Sequence, residues 1–355
     1  MKERDEFSDQ RILVVGGAGF VGGNLIRRLL QSSPREVLIV DNLLSAERAN
    51  IPVSPEITFV EGSITDDKIL EDLRDDLDFV FHLATYHGNQ NSICNPLLDH
   101  DNNTLTTLKL YERVKEFRKI KKVVYASAGC AVAEKTFDEA NATKEDAPVS
   151  LHMDSPYQIS KIVGEYYSNY YFSQYRLPVV KARFQNVYGP GEILGAGKWR
   201  GTPATIWRNV IPTFVYRAIK KMPLIVENEG KATRDFIYVE DIVRGLILCA
   251  TRGNPGEVYN LASGIETTIF DLAKLVNRLT NNNTPIEYAP KRDWDNSGRR
   301  FGSTLKAKEK IGFEAQVGVK NGLMRTIKWA EENLSLIETC IMKYKAYIAY
   351  DERQY

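Results

Sequence analysis

Cysteine is scarce in this chain: 355 residues hold only Cys94, Cys130, Cys249 and Cys340. None has the pair spacing of a zinc site or a disulfide framework, so all four read as reduced thiols. Long apolar runs are missing too, since none reaches the ~18–20 residues needed to cross a bilayer. The stretch from Met1 to Gln10 is charged and lacks the apolar core of a signal peptide. Charge of one sign is likewise absent: 47 Lys and Arg stand against 46 Asp and Glu, a net of +1, with both signs interspersed. That balance excludes the basic stripe of a nucleic-acid surface. No repeat or low-complexity segment interrupts the chain. These absences predict a soluble, cytoplasmic protein with no metal site and no nucleic-acid or membrane partner.

What is present is a rhythm of short apolar runs and helical patterns. Arg11 to Val15, Val37 to Val40, Ile57 to Val60, Phe79 to Phe81, Val123 to Tyr125 and Val179–Val180 read as buried strands. A helical pattern through Leu25, Ile26, Leu29 and Leu30 follows the first, and helical stretches separate most of the others. Parallel strands need crossover connections, so the alternation predicts an α/β fold with a Rossmann-type doubly wound parallel sheet. Beyond Tyr188-Gly189-Pro190-Gly191 the texture turns rich in Gly, Trp and Arg, while Arg234 to Cys249 and Val258 to Leu261 again suit the sheet. The expected division is a dinucleotide-binding domain at 1–188 plus 236–261 and a smaller, discontinuous substrate-binding region at 189–235 plus 262–335. A helical tail at 336–355 should turn Leu336, Ile337, Ile341 and Ile348 toward the protein.

Gly16, Gly19 and Gly22 directly follow the first strand and open the first helix. Glycines there permit a tight turn and close approach of a pyrophosphate to a helix N-terminus. Asp41 ends the second strand about twenty residues on, where a carboxylate accepts from both ribose hydroxyls and repels a 2′-phosphate. NAD is therefore expected over NADP. The competing reading is a flexible loop and a solvated Asp, which the strand–turn–helix context opposes.

Further stretches carry a family resemblance: GGAGFVGG at 16–23, HLAT at 82–85, NNTLTTLKL at 102–110, YQISK at 157–161, RFQNVYGPG at 183–191 and RDFIYVEDI at 234–242. Together they resemble the extended short-chain dehydrogenase/reductases that modify nucleotide sugars. The resemblance implies bound NAD, a UDP-sugar substrate and a role in surface polysaccharide (O-antigen) synthesis. It also implies a homodimer through helices near 102–118 and 157–175. Besides the three glycines and Asp41, it puts Phe20, Asn42, Ser63, Ile64, Leu83, Ala84 and Asn103 on the cofactor, Asn103 near the nicotinamide. Ser63 stands where many members carry an Asp that contacts adenine. Asn186 and Arg234 fall on the sugar-nucleotide diphosphate, with Arg292 as a further candidate; arginine suits that task through bidentate contacts.

Tyr157 and Lys161 lie one helical turn apart and can share a face. A neighbouring ammonium lowers a tyrosine pKa, so Tyr157 is the expected base for a sugar hydroxyl while hydride leaves to NAD. The Ser or Thr that usually completes such a site is absent: the resemblance puts Gly129 at its position, with Cys130 and Ala131 just after. Related 4,6-dehydratases carry an Asp-Glu pair at 130–131 and decarboxylases a Glu, whereas 3,5-epimerases carry a Cys. The reading is thus a UDP-sugar epimerase acting at C5, or at C3 and C5, with Cys130 as a proton-transfer group. His87 and Asn209 are candidates for the opposite face of the sugar, His87 being the better acid. Lys198, Trp199 and Arg200 belong either to the substrate mouth or to a solvated loop. Rival readings are a 4-epimerase or another oxidoreductase of the extended family, in which Ser127 or a water replaces the missing hydroxyl, and a non-catalytic NAD and sugar-nucleotide binder.

Overall fold

The computed structural model describes residues 6–133, 136, 138–295 and 298–347. Seven strands form the central sheet: β1 (Arg11–Val15), β2 (Glu36–Asp41), β3 (Ile57–Glu61), β4 (Phe79–His82), β5 (Lys122–Ala128), β6 (Val179–Phe184) and β10 (Val258–Leu261). Their order is β10-β6-β5-β4-β1-β2-β3, and every pair is parallel. This is the doubly wound sheet expected from the alternation of strands and helices. Each strand read from the sequence is present, with bounds shifted by a few residues at most.

Both faces of the sheet are covered because successive side chains point to opposite sides. Ile12 and Val14 of β1 join a core with the helices Phe20–Leu30 and Val239–Thr251. Leu13 and Val15 face the other way, into a core with Leu110, Val114 and Tyr171 from the helices Thr106–Val114 and Pro156–Tyr175. Each such Val, Leu or Ile side chain withdrawn from water contributes on the order of 1.5–3 kcal/mol.

The remaining strands are small. β7 (Asn186–Tyr188), β9 (Thr233–Tyr238) and β11 (Glu266–Thr268) form a three-stranded sheet, and β8 (Leu224–Glu227) pairs with β12 (Ile286–Ala289). A separate core gathers Tyr188, Leu194, Phe214, Leu272, Leu323 and Ile337. In the tail, the helix Leu334–Met342 buries Ile337 and Ile341, with Leu336 packed at the edge of that core. Ile348 lies outside the described residues. Among the described residues no helix is long and apolar enough to cross a membrane, and no cluster of three metal-ligating side chains occurs.

Strand order reverses between β1 and β4, and a parallel sheet leaves a crevice beyond its carboxyl ends at such a point. A cavity of about 350 Å³ lies there. Its walls include Val15, Asp41, Gly62, Leu83, Ala128 and Phe184, which end or directly follow β1 to β6.

Candidate active site

One wall of the cavity is built from the glycine turn. Gly16 has φ +86°, and a Cβ there would lie 2.7 Å from the Cα of Ala84. A Cβ on Gly22 would overlap the carbonyl oxygen of Gly16 and stand 2.7 Å from the Cα of Gly17. Only glycine allows this turn to tuck beneath the start of the Phe20–Leu30 helix. The helix N-terminus thus opens on the cavity with free N–H groups, a setting that favours phosphate oxygens. Asp41 is fixed at the end of β2: its carboxylate accepts from the Ala18 N–H at 3.0 Å and the Leu43 N–H at 2.9 Å. Burial raises its pKa, and those N–H donors oppose the shift. Gly16, Gly19, Phe20, Gly22, Asp41, Asn42, Ser63, Ile64, Leu83 and Ala84 all line the cavity. A glycine cradle no Cβ can enter, a helix N-terminus and a fixed carboxylate fit an adenine dinucleotide.

Asn103 is the exception on this side, because it does not line the cavity. It sits on a π-helical turn, His100–Leu105, and is buried. Its Oδ1 accepts from the Tyr86 N–H at 2.6 Å, while Nδ2 donates to Asp99 Oδ1 at 2.7 Å and Ser160 Oγ at 3.1 Å. Asn103 therefore ties the segment after β4 to the helix that bears Tyr157 and Lys161.

That helix starts where Ser155 caps it, its hydroxyl accepting from the Gln158 N–H, and Pro156 occupies the first turn. Tyr157 and Lys161 follow on one face, and both reach the cavity. Lys161 Nζ donates to the Ala126 carbonyl at 2.9 Å and stands 5.8 Å from the centre of the Tyr157 ring. Burial pulls Lys161 down to about 8. The expectation of a lowered Tyr157 pKa is not met in the chain by itself: burial first, then Cys130 and Asp99, push it upward. Desolvation of the phenolate outweighs any help from an ammonium already committed to a carbonyl.

Cys130 lies in a single 3₁₀ turn, Gly129–Ala131, directly after β5, and lines the same cavity as Tyr157. Ser127 also reaches the wall, but its hydroxyl donates to Glu165 at 2.5 Å. Glu165 is in turn ion-paired with Arg183 at 2.8 Å, both nearly buried. Ser127 is thus held in a structural network, which weakens the reading that gives it the missing hydroxyl's place. His87 packs edge-on to Tyr157, ring centres 6.0 Å apart. Burial, then the charges of Arg208, Arg200 and Lys161, drive it down to about 3. Each of these effects disfavours the protonated ring that an acid at this position needs.

On the sugar side Asn186, Asn209 and Arg292 line the cavity, and Asn209 is held by Glu192. Arg234 does not. Its guanidinium is turned to the carbonyls of Thr233 at 2.7 Å and Gly298 at 2.9 Å and to Asp295 at 3.6 Å, and burial lowers it to about 9. Arg300 and Arg208 line the wall instead. Trp199 and Arg200 take neither place expected of them: Trp199 stacks on Tyr347 at 4.1 Å and Arg200 is fully buried. Lys198 does not line the cavity either.

Gln185, Glu192, Arg208 and Arg300 also line the cavity and were not singled out from the sequence. Two of them adjoin residues that were, Gln185 beside Asn186 and Arg208 beside Asn209; their neighbours' family matches were the available signal.

Known proteins bear on this geometry. Residues 12–262 match the model of the NAD dependent epimerase/dehydratase family. The Bordetella bronchiseptica enzyme WbmF, in a crystal structure with NAD+ and UDP, is 57% identical, with a TM-score of 0.88 over 98% of this chain and 99% of that one. An epimerase from Methanothermobacter thermautotrophicus is 40% identical, with a TM-score of 0.87 over 96% and 97% of the two chains. A putative UDP-glucose 4-epimerase of Methanocaldococcus jannaschii is 30% identical over 91% of this chain and 99% of its own. The chain belongs to the NAD-dependent epimerase/dehydratase family of nucleotide-sugar enzymes.

Proposed function

We propose that this enzyme is a UDP-sugar epimerase that inverts C5, or C3 and C5, with NAD recycled inside the site. The observation that carries the reading is the placement of Cys130 in one cavity with Tyr157 and Lys161. The binding of UDP and NAD+ by WbmF, at 57% identity, supports the ligand class. The glycine turn, Asp41, Asn42, Ser63 and Ile64 hold the dinucleotide; Arg292, Arg300 and Asn186 take the sugar diphosphate, in place of the Arg234 expected from sequence. Residues 189–235 plus 262–335 form the sugar-nucleotide region, and 1–188 plus 236–261 the dinucleotide domain.

When bound, NAD accepts a hydride from the sugar C4 and later returns it. Tyr157 takes the hydroxyl proton as C4 becomes a ketone, and Lys161 orients the phenol. The ketone acidifies the adjacent C5–H. Cys130 accepts that proton, and a proton is delivered from the opposite face, where His87 and Asn209 stand; the abstracted proton then exchanges with solvent. Inverted C5 is thereby set before C4 is reduced again. The exposed Ile159, Tyr166 and Tyr170 of the Pro156–Tyr175 helix supply an apolar face suited to a homodimer. The products serve surface polysaccharide or lipopolysaccharide O-antigen synthesis in the cytoplasm.

The name of the Methanocaldococcus jannaschii relative favours a second reading, inversion at C4 alone. Incubating candidate UDP-sugars with the enzyme in deuterated water, with ring positions read by NMR, separates the two. Deuterium at C5 is the expected result. Inversion at C4 without ring label establishes the second reading and overturns the first.

A further inference from the structure

Gly129 occupies the place of the missing hydroxyl, and the space beside it is filled. β5 and β6 pair in parallel register through Ser127↔Arg183 and Ala128↔Phe184. Gly129 and Gln185 directly follow the two strands, so the register brings them side by side. A Cβ on Gly129 would overlap Gln185 Nε2 and stand 2.7 Å from its Cδ and 2.8 Å from its Oε1. Gly302 makes room on another side, where a Cβ would lie 2.8 Å from Nε2. A side chain on Gly129 therefore requires the carboxamide of Gln185 to swing out of its present place. Gln185 lines the cavity with Tyr157 and Cys130, and among the described residues no hydrogen bond holds its carboxamide. The carboxamide is not among the buried polar atoms that lack a partner, so its N–H is open to water or to a ligand in the cavity.

We propose that Gln185 is a catalytic residue, whose carboxamide donates to the sugar oxygen that the absent Ser or Thr hydroxyl would otherwise orient. The inference rests on the epimerase reading only in needing a sugar carbon to be oxidised; it does not depend on C5. In that step the carbon–hydrogen electron pair leaves as hydride to the bound cofactor. The hydroxyl proton passes to Tyr157, and the carbon–oxygen bond becomes double. Gln185 gains neither proton nor electron, because a carboxamide does not titrate. Its N–H holds the oxygen in line with the tyrosine and stabilises the partial negative charge that builds there. Ser127 cannot share the task while its hydroxyl is given to Glu165.

The test uses the purified holoenzyme and three variants: Gln185→Met, nearly isosteric but without the donor, Gln185→Ala, and the double variant Gly129→Ser/Gln185→Ala. Calorimetry with UDP and with UDP-glucuronate gives the affinity increment due to the sugar. Stopped-flow absorbance of reduced nicotinamide gives the rate of hydride transfer. The expected result is UDP affinity within about two-fold of wild type in every variant, with the sugar increment weakened about ten-fold in Gln185→Met, as loss of one hydrogen bond implies. Hydride transfer should fall at least about ten-fold in Gln185→Met, and the new serine should restore part of that loss in the double variant over Gln185→Ala. An unchanged increment, or a double variant no faster than Gln185→Ala, overturns the proposal. Failure of the C5 reading looks different: inversion at C4 without ring label would leave these Gln185 effects in place.

Discussion

The two ends of the cavity are built by different means. At the cofactor end, Gly16 to Gly22, Asp41 and Asn42, Ser63 and Ile64, and Leu83 and Ala84 come from the turns after four successive strands. Much of that surface is backbone, aimed by the sheet. At the sugar end, Cys130, Gln185, Arg208, Arg292 and Arg300 come from segments far apart in the chain, and what matters is where each side chain finds room. Backbone-defined sites tolerate little change of residue type at a few glycines. Side-chain-defined sites are open to exchange, as the competition for one space between a Cβ at Gly129 and the Gln185 carboxamide illustrates.

The largest expected effect falls at the sugar end. Tyr157→Phe should lower turnover by roughly 10²–10⁴-fold, the usual span for a lost acid–base group. Cofactor content, measured after denaturing the purified protein, should not change, which separates the two ends functionally. A variant that also loses its cofactor would blur the contrast.

Next comes the network beneath the sugar end. Arg183→Met leaves Glu165 buried without its guanidinium, and removal of one partner from such a pair costs about 3–5 kcal/mol. Urea denaturation should show that loss. A shift within experimental error would mean that the network around Ser127 is not what holds β5 against the Tyr157 helix.

At the cofactor end, Gly22→Ala forces a methyl against the Gly16 carbonyl. A destabilisation of about 1–3 kcal/mol is expected from such overpacking. Bound cofactor should fall with it, while the same substitution at the open position Gly318, where a Cβ meets nothing within 4 Å, should leave cofactor content unchanged.

The last effect concerns pH. Burial pushes Glu192 up to about 7. A raised carboxyl pKa gives stability that is present below the unfolded value and lost as pH rises through the folded one. Glu192→Gln should therefore gain on the wild type as pH rises from ~4.5 to above ~7, by less than ~1.4 kcal/mol per pH unit. Paired denaturation curves at the two ends of that window check the sign; a gain toward acid would contradict it.

The same contrast explains what was legible beforehand. The seven strands of the main sheet stood out because buried parallel strands are continuous apolar runs, and the glycine turn because its spacing is a backbone requirement. Tyr157 and Lys161 were legible as a one-turn pair. The carbonyls of Thr233 and Gly298 that hold Arg234 were not legible, because they meet it only through folding. Asn103 shares a turn with cofactor-facing residues but points inward to Tyr86, Asp99 and Ser160. The lowered pKa of His87 was not legible because burial, its main cause, has no local signature. Gln185 went unread because its role follows from the β5–β6 register and from two glycines distant in sequence.

The central claim is that Cys130 transfers a proton at C5, and the rate of deuterium entry at that carbon measures it most directly. With a UDP-sugar that exchanges in the wild type, Cys130→Ala should lose C5 label by at least about 10²-fold while UDP affinity is retained. Label entering C5 at the wild-type rate in Cys130→Ala would contradict it.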